Sequence, residues 1–164
     1  MDRKFIEKYL NDFADLISPT SEIIDFLINV KDALVTASEN GKKGIIVGNG
    51  GSAAIASHFS VDLTKNANIR CINFNESDLI TCLSNDYGNE QWVEKAVEFY
   101  GDTGDMFIGI SSSGSSENIL NGCRAAREKN FSKVITLSGM QEENPLRQLG
   151  DINLLVNSMS YNHI

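Results

Sequence analysis

Hydrophobic side chains near the start of the chain recur every three or four residues in two successive stretches. This spacing predicts two helices, each with its apolar residues along one side. The first stretch ends at the Ser18–Ser21 segment, and the second runs from Ile23 to a stop at Gly41. The apolar positions of the first stretch are Phe5, Ile6, Tyr9, Leu10, Phe13, Leu16 and Ile17. Because both helices precede any strand and are apolar on more than one face, we expect them to pack on a sheet or on another copy of the chain.

From Gly44 onward, short apolar runs that are typical of strands alternate with helical patterns. The predicted strands are Ile45–Val47, Ile69–Phe74, Met106–Ile110, Val134–Leu137 and Ile152–Val156. The predicted helices are Ser52–Lys65, Ser77–Ser84, Gln91–Tyr100, Asn118–Lys129 and a short one at Pro145. This alternation is typical of an α/β fold with a mostly parallel sheet and helices on both faces. We interpret residues 1–164 as one domain, with N-terminal helices at about 3–40 and an α/β core at about 44–157.

A glycine-rich turn follows the first predicted strand. Gly48, Gly50 and Gly51 leave main-chain N–H groups open to a ligand, because glycine has no Cβ atom. Ser52 stands where a helix N-cap is expected. Since N–H donors meet the positive end of a helix dipole there, the turn predicts a site for an anion such as phosphate.

A second turn of similar character follows the predicted strand at Met106–Ile110. Five serines surround one glycine between Ser111 and Ser116, and a predicted helix follows them. Taken alone, such a run is equally a flexible polar loop. Because ligands of open α/β sheets bind at the carboxyl ends of the strands, two such turns favour a binding site at that edge.

The first turn is compatible with more than one phosphate ligand. It lacks the Gly-Lys-Ser/Thr ending of the nucleotide-binding P-loop. Gly48, Gly50 and Ala53 satisfy the looser dinucleotide pattern GxGxxG/A, but Glu76 comes late for the acidic residue that this pattern requires. A small phosphorylated sugar held by the serine turn gives both turns a role, so we expect no nucleotide cofactor.

Composition narrows the class of protein. The 164 residues are 41% hydrophobic and 22% charged, which is ordinary for a soluble globular protein. The formal net charge of −8 argues against nucleic acid as a partner. We expect no membrane partner either, because no apolar run approaches the roughly 20 residues of a membrane span. The cysteines, Cys71, Cys82 and Cys123, lack metal-site spacing, and their odd number fits reduced thiols and a cytoplasmic location.

Four ordered motifs resemble those of the phosphoheptose isomerases, a family of sugar isomerase (SIS) domain proteins. They are Gly48–Ala54, the pair His58 and Asp62, Ser84–Gly88, and Ile108–Ser116. Members of this family convert sedoheptulose 7-phosphate into D-glycero-D-manno-heptose 7-phosphate. The resemblance implies a flavodoxin-like, three-layer α/β fold with a five-stranded parallel sheet. It also implies a homotetramer built on the N-terminal helices, with sites shared between subunits.

The resemblance assigns roles to residues of both turns. The phosphate would be held by Ser111, Ser112, Ser113 and Ser116. The substrate-binding residues near the first turn would be Asn49, Gly50, Gly51 and Ser52. Asp86 would bind sugar hydroxyls, although without the resemblance it would be interpreted as a turn residue.

His58 and Asp62 lie four residues apart on one predicted helix and therefore share a face. The spacing suits two ligands of one metal ion, an acid–base pair, or a partly buried His bonded to a surface carboxylate. The resemblance favours a catalytic role for both, with zinc bound at these positions in some members of the family. Aldose–ketose isomerisation moves a proton between C1 and C2 through an enediol, and the Asp62 carboxylate suits that transfer.

Two positions depart from the pattern of the family. Asp62 stands where the family has glutamate, so its carboxylate reaches one methylene less, about 1.5 Å. Asn162 stands where the family has aspartate, and the closing helix of the family would begin at about Ile164, so the sequence is interpreted as truncated there. Two hypotheses stay open: a phosphosugar isomerase with an incompletely represented catalytic set, or a non-catalytic SIS-domain protein that binds sugar phosphates or serves in assembly.

Overall fold

The computed structural model describes residues 2–164, and within that range it contains seven α-helices and five strands. The helices are α1 (Arg3–Leu16), α2 (Ser21–Glu39), α3 (Gly51–Lys65), α4 (Ser77–Tyr87), α5 (Trp92–Tyr100), α6 (Glu117–Glu128) and α7 (Pro145–Leu149). The strands are β1 (Gly44–Gly48), β2 (Cys71–Ile72), β3 (Met106–Ser111), β4 (Lys133–Gly139) and β5 (Ile152–Val156). A 3₁₀ turn at Tyr161–His163 follows β5.

The five strands form one parallel sheet in the order β2-β1-β3-β4-β5. This confirms the predicted α/β fold with a five-stranded parallel sheet. β1 and β3 are buried along their whole length, which is why the sequence shows them as continuous apolar runs. Gly48 pairs with Ile110 and Ser111 with Ser138, so the carboxyl ends of β1, β3 and β4 lie side by side.

The second strand is shorter than predicted. The pattern predicts a strand at Ile69–Phe74, but only Cys71 and Ile72 pair with β1. The next polar residues bond to α3 instead: the Asn73 amide donates to Ser60 Oγ at 2.8 Å, and the Asn75 amide donates to Ser57 Oγ at 2.7 Å. Side-chain bonds to the helix thus replace further strand pairing at this edge.

Helices cover both faces of the sheet, as the alternation predicts. One face carries α2 and α3, and its buried core is Phe26, Leu34, Ala37, Ile46, Ala56, Leu63, Cys71, Met106, Ile108, Ile110 and Ile135. The other face carries α4 to α7, with a core that includes Trp92, Val93 and Phe107. The result is a three-layer arrangement whose carboxyl edge is left open for the two turns.

The two N-terminal helices behave differently. α2 buries Phe26, Leu34 and Ala37 against the sheet, whereas α1 buries none of its residues. The large apolar side chains that these helices leave exposed are Phe5, Ile6, Leu10, Phe13, Ile17, Ile24, Leu27, Ile28 and Val35. One predicted alternative, packing on the sheet, therefore holds for α2 alone. None of the helices within residues 2–164 is long and apolar enough to cross a bilayer.

All three cysteines are free thiols. Cys82 is exposed, while Cys71 and Cys123 are buried. Burial raises the pKa of both buried thiols to about 12, because the thiolate loses its solvation there.

Candidate active site

The turn after β1 depends on glycine at two positions for different reasons. A Cβ atom at Gly48 would lie 2.7 Å from main-chain and side-chain atoms of Ser52, so the turn can be this tight only with glycine. Gly50 has φ +55° and is the N-cap of α3, which begins at Gly51. The prediction of Ser52 as N-cap is therefore wrong, because the positive φ of Gly50 starts the helix earlier. The Ser52 N–H lies inside the first helical turn and donates to the Asn49 carbonyl at 3.0 Å.

The first turn contains main-chain N–H donors that have no acceptor among the described residues. Within residues 2–164, the N–H groups of Gly50 and Gly51 form no hydrogen bond. No side chain shields them, and they stand at the N-terminus of a 15-residue helix, where the helix dipole is positive. The first turn therefore has the free donors that the predicted anion site requires.

The serine turn joins β3 to α6 and offers both hydroxyls and N–H groups. Ser111 ends β3 and is 5% exposed, and its hydroxyl donates to Ser116 Oγ at 3.0 Å. Ser116 is the N-cap of α6, but its side chain makes no capping bond to the helix. In the part of the chain that the structure describes, the N–H groups of Ser113 and Ser116 donate to no other group. Together with the half-buried Ser112, these groups form a cradle for an oxyanion.

The back of the serine turn is held by the start of α7. Gly114 has φ +65°, and any side chain there would collide with Asn144. The Gly114 carbonyl accepts the N–H of Leu146 at 2.9 Å. Asn144 is 1% exposed, caps α7 by accepting from the Arg147 N–H at 3.0 Å, and donates to Ser138 Oγ at 3.0 Å. The turn is thus fixed in shape before any ligand arrives.

A reciprocal amide pair joins the two turns. Asn49 Nδ2 donates to Asn118 Oδ1, and Asn118 Nδ2 donates to Asn49 Oδ1, each at 2.9 Å. Asn49 lies in the turn after β1 and is exposed, whereas Asn118 is the second residue of α6 and is 5% exposed. The structure therefore brings the predicted phosphate-binding and sugar-binding turns together.

His58 and Asp62 lie on one face of α3, as predicted, with 3.6 Å between His58 Nε2 and Asp62 Oδ2. Their side chains are 81% and 47% exposed, so the interpretation of His58 as partly buried is wrong. Asp62 also accepts from the Asn66 amide at 3.0 Å. With a helical rise of 1.5 Å per residue, the two residues stand about 10 Å and about 16 Å along α3 from its start at Gly51. Within residues 2–164, the side-chain contacts of these two residues are with each other and with Asn66, and neither bonds to the serine turn.

The pair His58 and Asp62 supplies two of the donors that zinc takes. Tetrahedral zinc sites use three or four protein ligands. Among residues 2–164, no group of three His, Cys, Asp or Glu side chains is placed to hold a metal ion. The donors of a single chain therefore do not fit a zinc ion by themselves.

Asp86 and the end of the chain occupy different surroundings. Asp86 is exposed near the end of α4, where it accepts from the Asn85 amide at 2.9 Å. The Asn162 carbonyl accepts from the hydroxyl of Tyr9 in α1 at 3.2 Å. Ile164 packs against Gly139, whose N–H in turn donates to the Ser112 carbonyl at 3.0 Å. Ile164 therefore lies beside the strand residue that bonds to the serine turn, while Asp86 does not bond to that turn within the described residues.

Two site residues were missed in the sequence. Asn144 could have been found, because an N-cap residue followed by Pro145 at the first helical position is a recognised helix start. Asn118 had no local signal, since its partner Asn49 is 69 residues away.

Comparison with known proteins gives consistent results. The model of the SIS domain family matches residues 8–139. A phosphoheptose isomerase from Helicobacter hepaticus is 39% identical over an alignment that covers 76% of this chain and 66% of that protein. One from Yersinia enterocolitica is 32% identical, with 98% of this chain and 86% of that protein covered. The solved structure of a phosphoheptose isomerase from Neisseria gonorrhoeae matches with a TM-score of 0.88 at 24% identity, covers 98% of this chain and 90% of that one, and so shares the fold.

Proposed function

Because this chain belongs to the SIS domain family, we propose that it binds a small phosphorylated sugar and interconverts the aldose and ketose forms of that sugar. The relatives that this chain matches are named phosphoheptose isomerases, and in keeping with that name the proposed substrate is sedoheptulose 7-phosphate and the proposed product is D-glycero-D-manno-heptose 7-phosphate. The observation that carries the proposal is the serine turn, with hydroxyls and unbonded N–H groups at the carboxyl edge of the sheet.

The serine turn would hold the phosphate group. Its unbonded N–H donors at Ser113 and Ser116 immediately precede α6, so a phosphate held there gains from the positive end of the helix dipole. The hydroxyls of Ser112 and Ser116 add donors, and Ser111 positions Ser116 by donating its own hydroxyl proton to Ser116 Oγ. The sugar chain would then extend toward the first turn, where Asn49 and the N–H groups of Gly50 and Gly51 meet its oxygens.

Asp62 would carry the proton between C1 and C2. A carboxylate can take the carbon-bound proton to give the enediol and then return it to the neighbouring carbon. His58 Nε2, 3.6 Å from Asp62 Oδ2, would hold that carboxylate in place or protonate the sugar oxygen. Asp62→Asn should lower turnover by about 100-fold or more, the range for loss of a general base.

The site would be completed between copies of the chain. Asp62 stands about 16 Å along α3 from the first turn, too far for the same chain to supply both the cradle and the base. The exposed apolar residues Ile55 and Phe59 flank His58 on α3, and α1 leaves Phe5 and Leu10 more than half exposed. We propose that these faces pack in a homotetramer that covers the proton-transfer groups.

A mixed oligomer tests this arrangement. Asp62→Asn, and a double variant that combines Ser113→Ala with Ser116→Ala, should each lower turnover about 100-fold at substrate concentrations below the dissociation constant. Their co-expression should restore part of the turnover. Restoration follows because some sites would combine an intact serine turn from one copy with an intact Asp62 from another. Mixed oligomers that stay inactive would show that both groups act within one copy.

His58 and Asp62 would supply two zinc ligands, and any others would have to come from outside the single chain described above. The three free cysteines support a cytoplasmic location, where thiols stay reduced.

A second candidate function is non-catalytic binding of sugar phosphates. It is favoured by Asp62, whose shorter side chain replaces the glutamate of the family pattern and is already bonded to Asn66. An error of about 1 Å in such a group can cost on the order of 100-fold in rate. This candidate keeps the cradle and the assembly but performs no proton transfer.

Proton NMR of sedoheptulose 7-phosphate in D₂O separates the two candidates. With the protein present, the proposal predicts new aldose signals and deuterium at C2, because the proton on the base exchanges with solvent. Asp62→Asn is the matched variant and should give neither. Saturable binding without new signals would establish the non-catalytic candidate, and absence of both binding and turnover would contradict both.

A further inference from the structure

Asn118 is placed where it can act on both turns at once. Its side chain forms the only side-chain hydrogen bonds between the turn after β1 and the turn after β3 within residues 2–164. Both bonds of the pair with Asn49 are 2.9 Å long, and Asn118 is 5% exposed. A buried amide destabilises the fold unless its polar atoms are hydrogen-bonded, so the buried Asn118 side chain depends on its pairing with Asn49.

The partner that Asn118 selects is unusual for an asparagine near a helix start. Asparagine side chains in that position tend to bond to nearby main-chain groups of their own helix. Here the amide makes no such bond in the described chain and pairs only with Asn49. The N-cap Ser116 likewise leaves the helix end without a side-chain cap. The polar groups at the start of α6 are therefore directed toward the site rather than toward the helix.

We propose that Asn118 is a positioning residue for the sugar phosphate, an inference that rests on the function proposed above. It fixes the plane of the Asn49 amide and holds the first turn at a set distance from the serine turn. Each amide of the pair keeps one N–H and one oxygen lone pair free for another bond. The exposed side of Asn49 can therefore bind a sugar hydroxyl in one fixed orientation while the serine turn holds the phosphate.

Fixing the two turns in advance lowers the cost of binding. A ligand that contacts both turns would otherwise have to order Asn49 and the first turn on arrival. This effect acts on the ligand through Asn49, so the loss of Asn118 and the loss of Asn49 should have overlapping consequences.

A double-mutant cycle in ligand affinity tests the proposal. Isothermal titration with sedoheptulose 7-phosphate should show about tenfold weaker binding for Asn118→Ala, the size expected for one lost orienting hydrogen bond. Asn49→Ala should be similarly affected, and the double variant should be no weaker than about tenfold, because both changes remove the same arrangement. A double variant weakened by the product of the single effects, or Asn118→Ala with unchanged affinity, would overturn the proposal.

Asn121→Ala is the matched control. Asn121 lies one turn further along α6, and its amide donates to the Glu90 carbonyl at 2.9 Å, away from both turns. This variant also removes an amide bond from α6, but its affinity for the sugar phosphate should stay within about twofold of the unaltered protein, since the Asn49 pair remains. An equal loss in Asn121→Ala would reduce Asn118 to a general support of the helix and overturn the proposal.

A second measurement needs no ligand, so the positioning role and the proposed function can fail separately. In NMR spectra of the free protein, the side-chain amide protons of Asn49 should exchange slowly with water, because Asn118 holds one of them. In Asn118→Ser the Asn49 amide should exchange fast and the Gly50 and Gly51 N–H signals should shift. If the protein fails to bind sedoheptulose 7-phosphate but shows these changes, the substrate is wrong and the link between the turns stands. An Asn49 amide that exchanges equally fast with and without Asn118 would overturn the link itself.

Discussion

At the residue scale, the candidate phosphate site works without a positive side chain. The segment from Ser111 to Asn118 contains no lysine or arginine, in a protein of net charge −8. Its one acid, Glu117, is paired with Arg124 at 3.0 Å, which offsets its repulsion of an anion. Binding must therefore come from serine hydroxyls, main-chain N–H groups and the dipole of α6. Each hydroxyl should consequently have a measurable effect.

Removing single hydroxyls from the serine turn tests this account. Ser113→Ala and Ser116→Ala should each weaken the binding of sedoheptulose 7-phosphate by about tenfold, since a hydrogen bond to a charged group contributes about 1.5–3 kcal/mol. Isothermal titration measures the dissociation constants. The control is Ser132→Ala at the opposite edge of the sheet, where the hydroxyl donates to the Asp105 carbonyl, and its affinity should not change. Unchanged affinity in both Ser113→Ala and Ser116→Ala would count against the cradle.

At the scale of elements, β1, its turn and α3 form one unit whose shape depends on Gly48. The strand is fully buried, the turn reverses over Gly50, and α3 starts immediately. The space for this close return exists only because residue 48 has no side chain. The tight turn at Gly48 therefore contributes to the stability of the fold and also leaves the N–H groups of Gly50 and Gly51 free.

Substitution within this unit should separate crowding from helix preference. Gly48→Ala should lower the free energy of unfolding by about 2 kcal/mol, because its Cβ would meet Ser52 main-chain atoms at 2.7 Å. Gly51→Ala is the control, since a Cβ there meets no atom within 4 Å, and alanine favours the helix. Urea unfolding measures both. Equal destabilisation by the two changes would show that close packing at Gly48 is not what shapes the turn.

Elements with strong local patterns were predictable, and relations between distant residues were not. β1 and β3 were evident because buried parallel strands are apolar throughout, and α6 because it follows a polar turn. The length of β2 was overestimated because Asn73 and Asn75 bond to α3, a tertiary effect that no local pattern shows. The N-cap of α3 is Gly50 and not the predicted Ser52, because the backbone angle of Gly50, and not the preference of serine for N-caps, sets the helix start.

At the scale of the whole molecule, the carboxyl and amino edges of the sheet differ in the polar groups that they carry. The carboxyl edge carries the open turns, whereas the amino edge is closed by charged groups. Lys43 Nζ lies 2.5 Å from Asp105 Oδ2 and 2.7 Å from Asp102 Oδ2, and Asp105 is 1% exposed. Asp105 also accepts from the main-chain N–H groups of Lys43 and Asp102. This cluster ties the starts of β1 and β3 together.

Lys43→Met should destabilise the fold by about 3 kcal/mol, because it leaves the buried Asp105 carboxylate without its counter-charge. Burial alone would lower the pKa of Lys43, but hydrogen bonds and charge attraction to Asp102 and Asp105 outweigh it and raise the pKa. A raised pKa in the folded state means that this stability is complete below the ordinary value of 10.5 and is lost as the pH rises through the folded value. The hydrogen bond from Lys43 lowers the pKa of Asp102. The stability that comes from the Asp102 carboxylate is therefore present above its ordinary pKa of 3.8 and is lost as the pH falls below that value.

Denaturant unfolding over a range of pH measures this contribution. The difference between the unaltered protein and Lys43→Met should stay constant from neutral pH to about pH 10 and shrink above it, as expected for a raised lysine pKa. Lys42→Met is the control, since Lys42 forms no ion pair within residues 2–164 and acts on Asp102 only by weaker charge attraction. A difference that disappears near neutral pH, or equal effects of the two variants, would contradict the role of the cluster.

The most direct test of the central claim is a titration of ¹⁵N-labelled protein with sedoheptulose 7-phosphate, followed in TROSY spectra. The claim is that a phosphorylated sugar lies between the serine turn and the turn after β1. The largest shift changes should therefore appear at the N–H groups of Ser111–Glu117 and Gly50–Ser52, and they should saturate. Shifts confined to other parts of the chain, or none at millimolar ligand, would contradict the account.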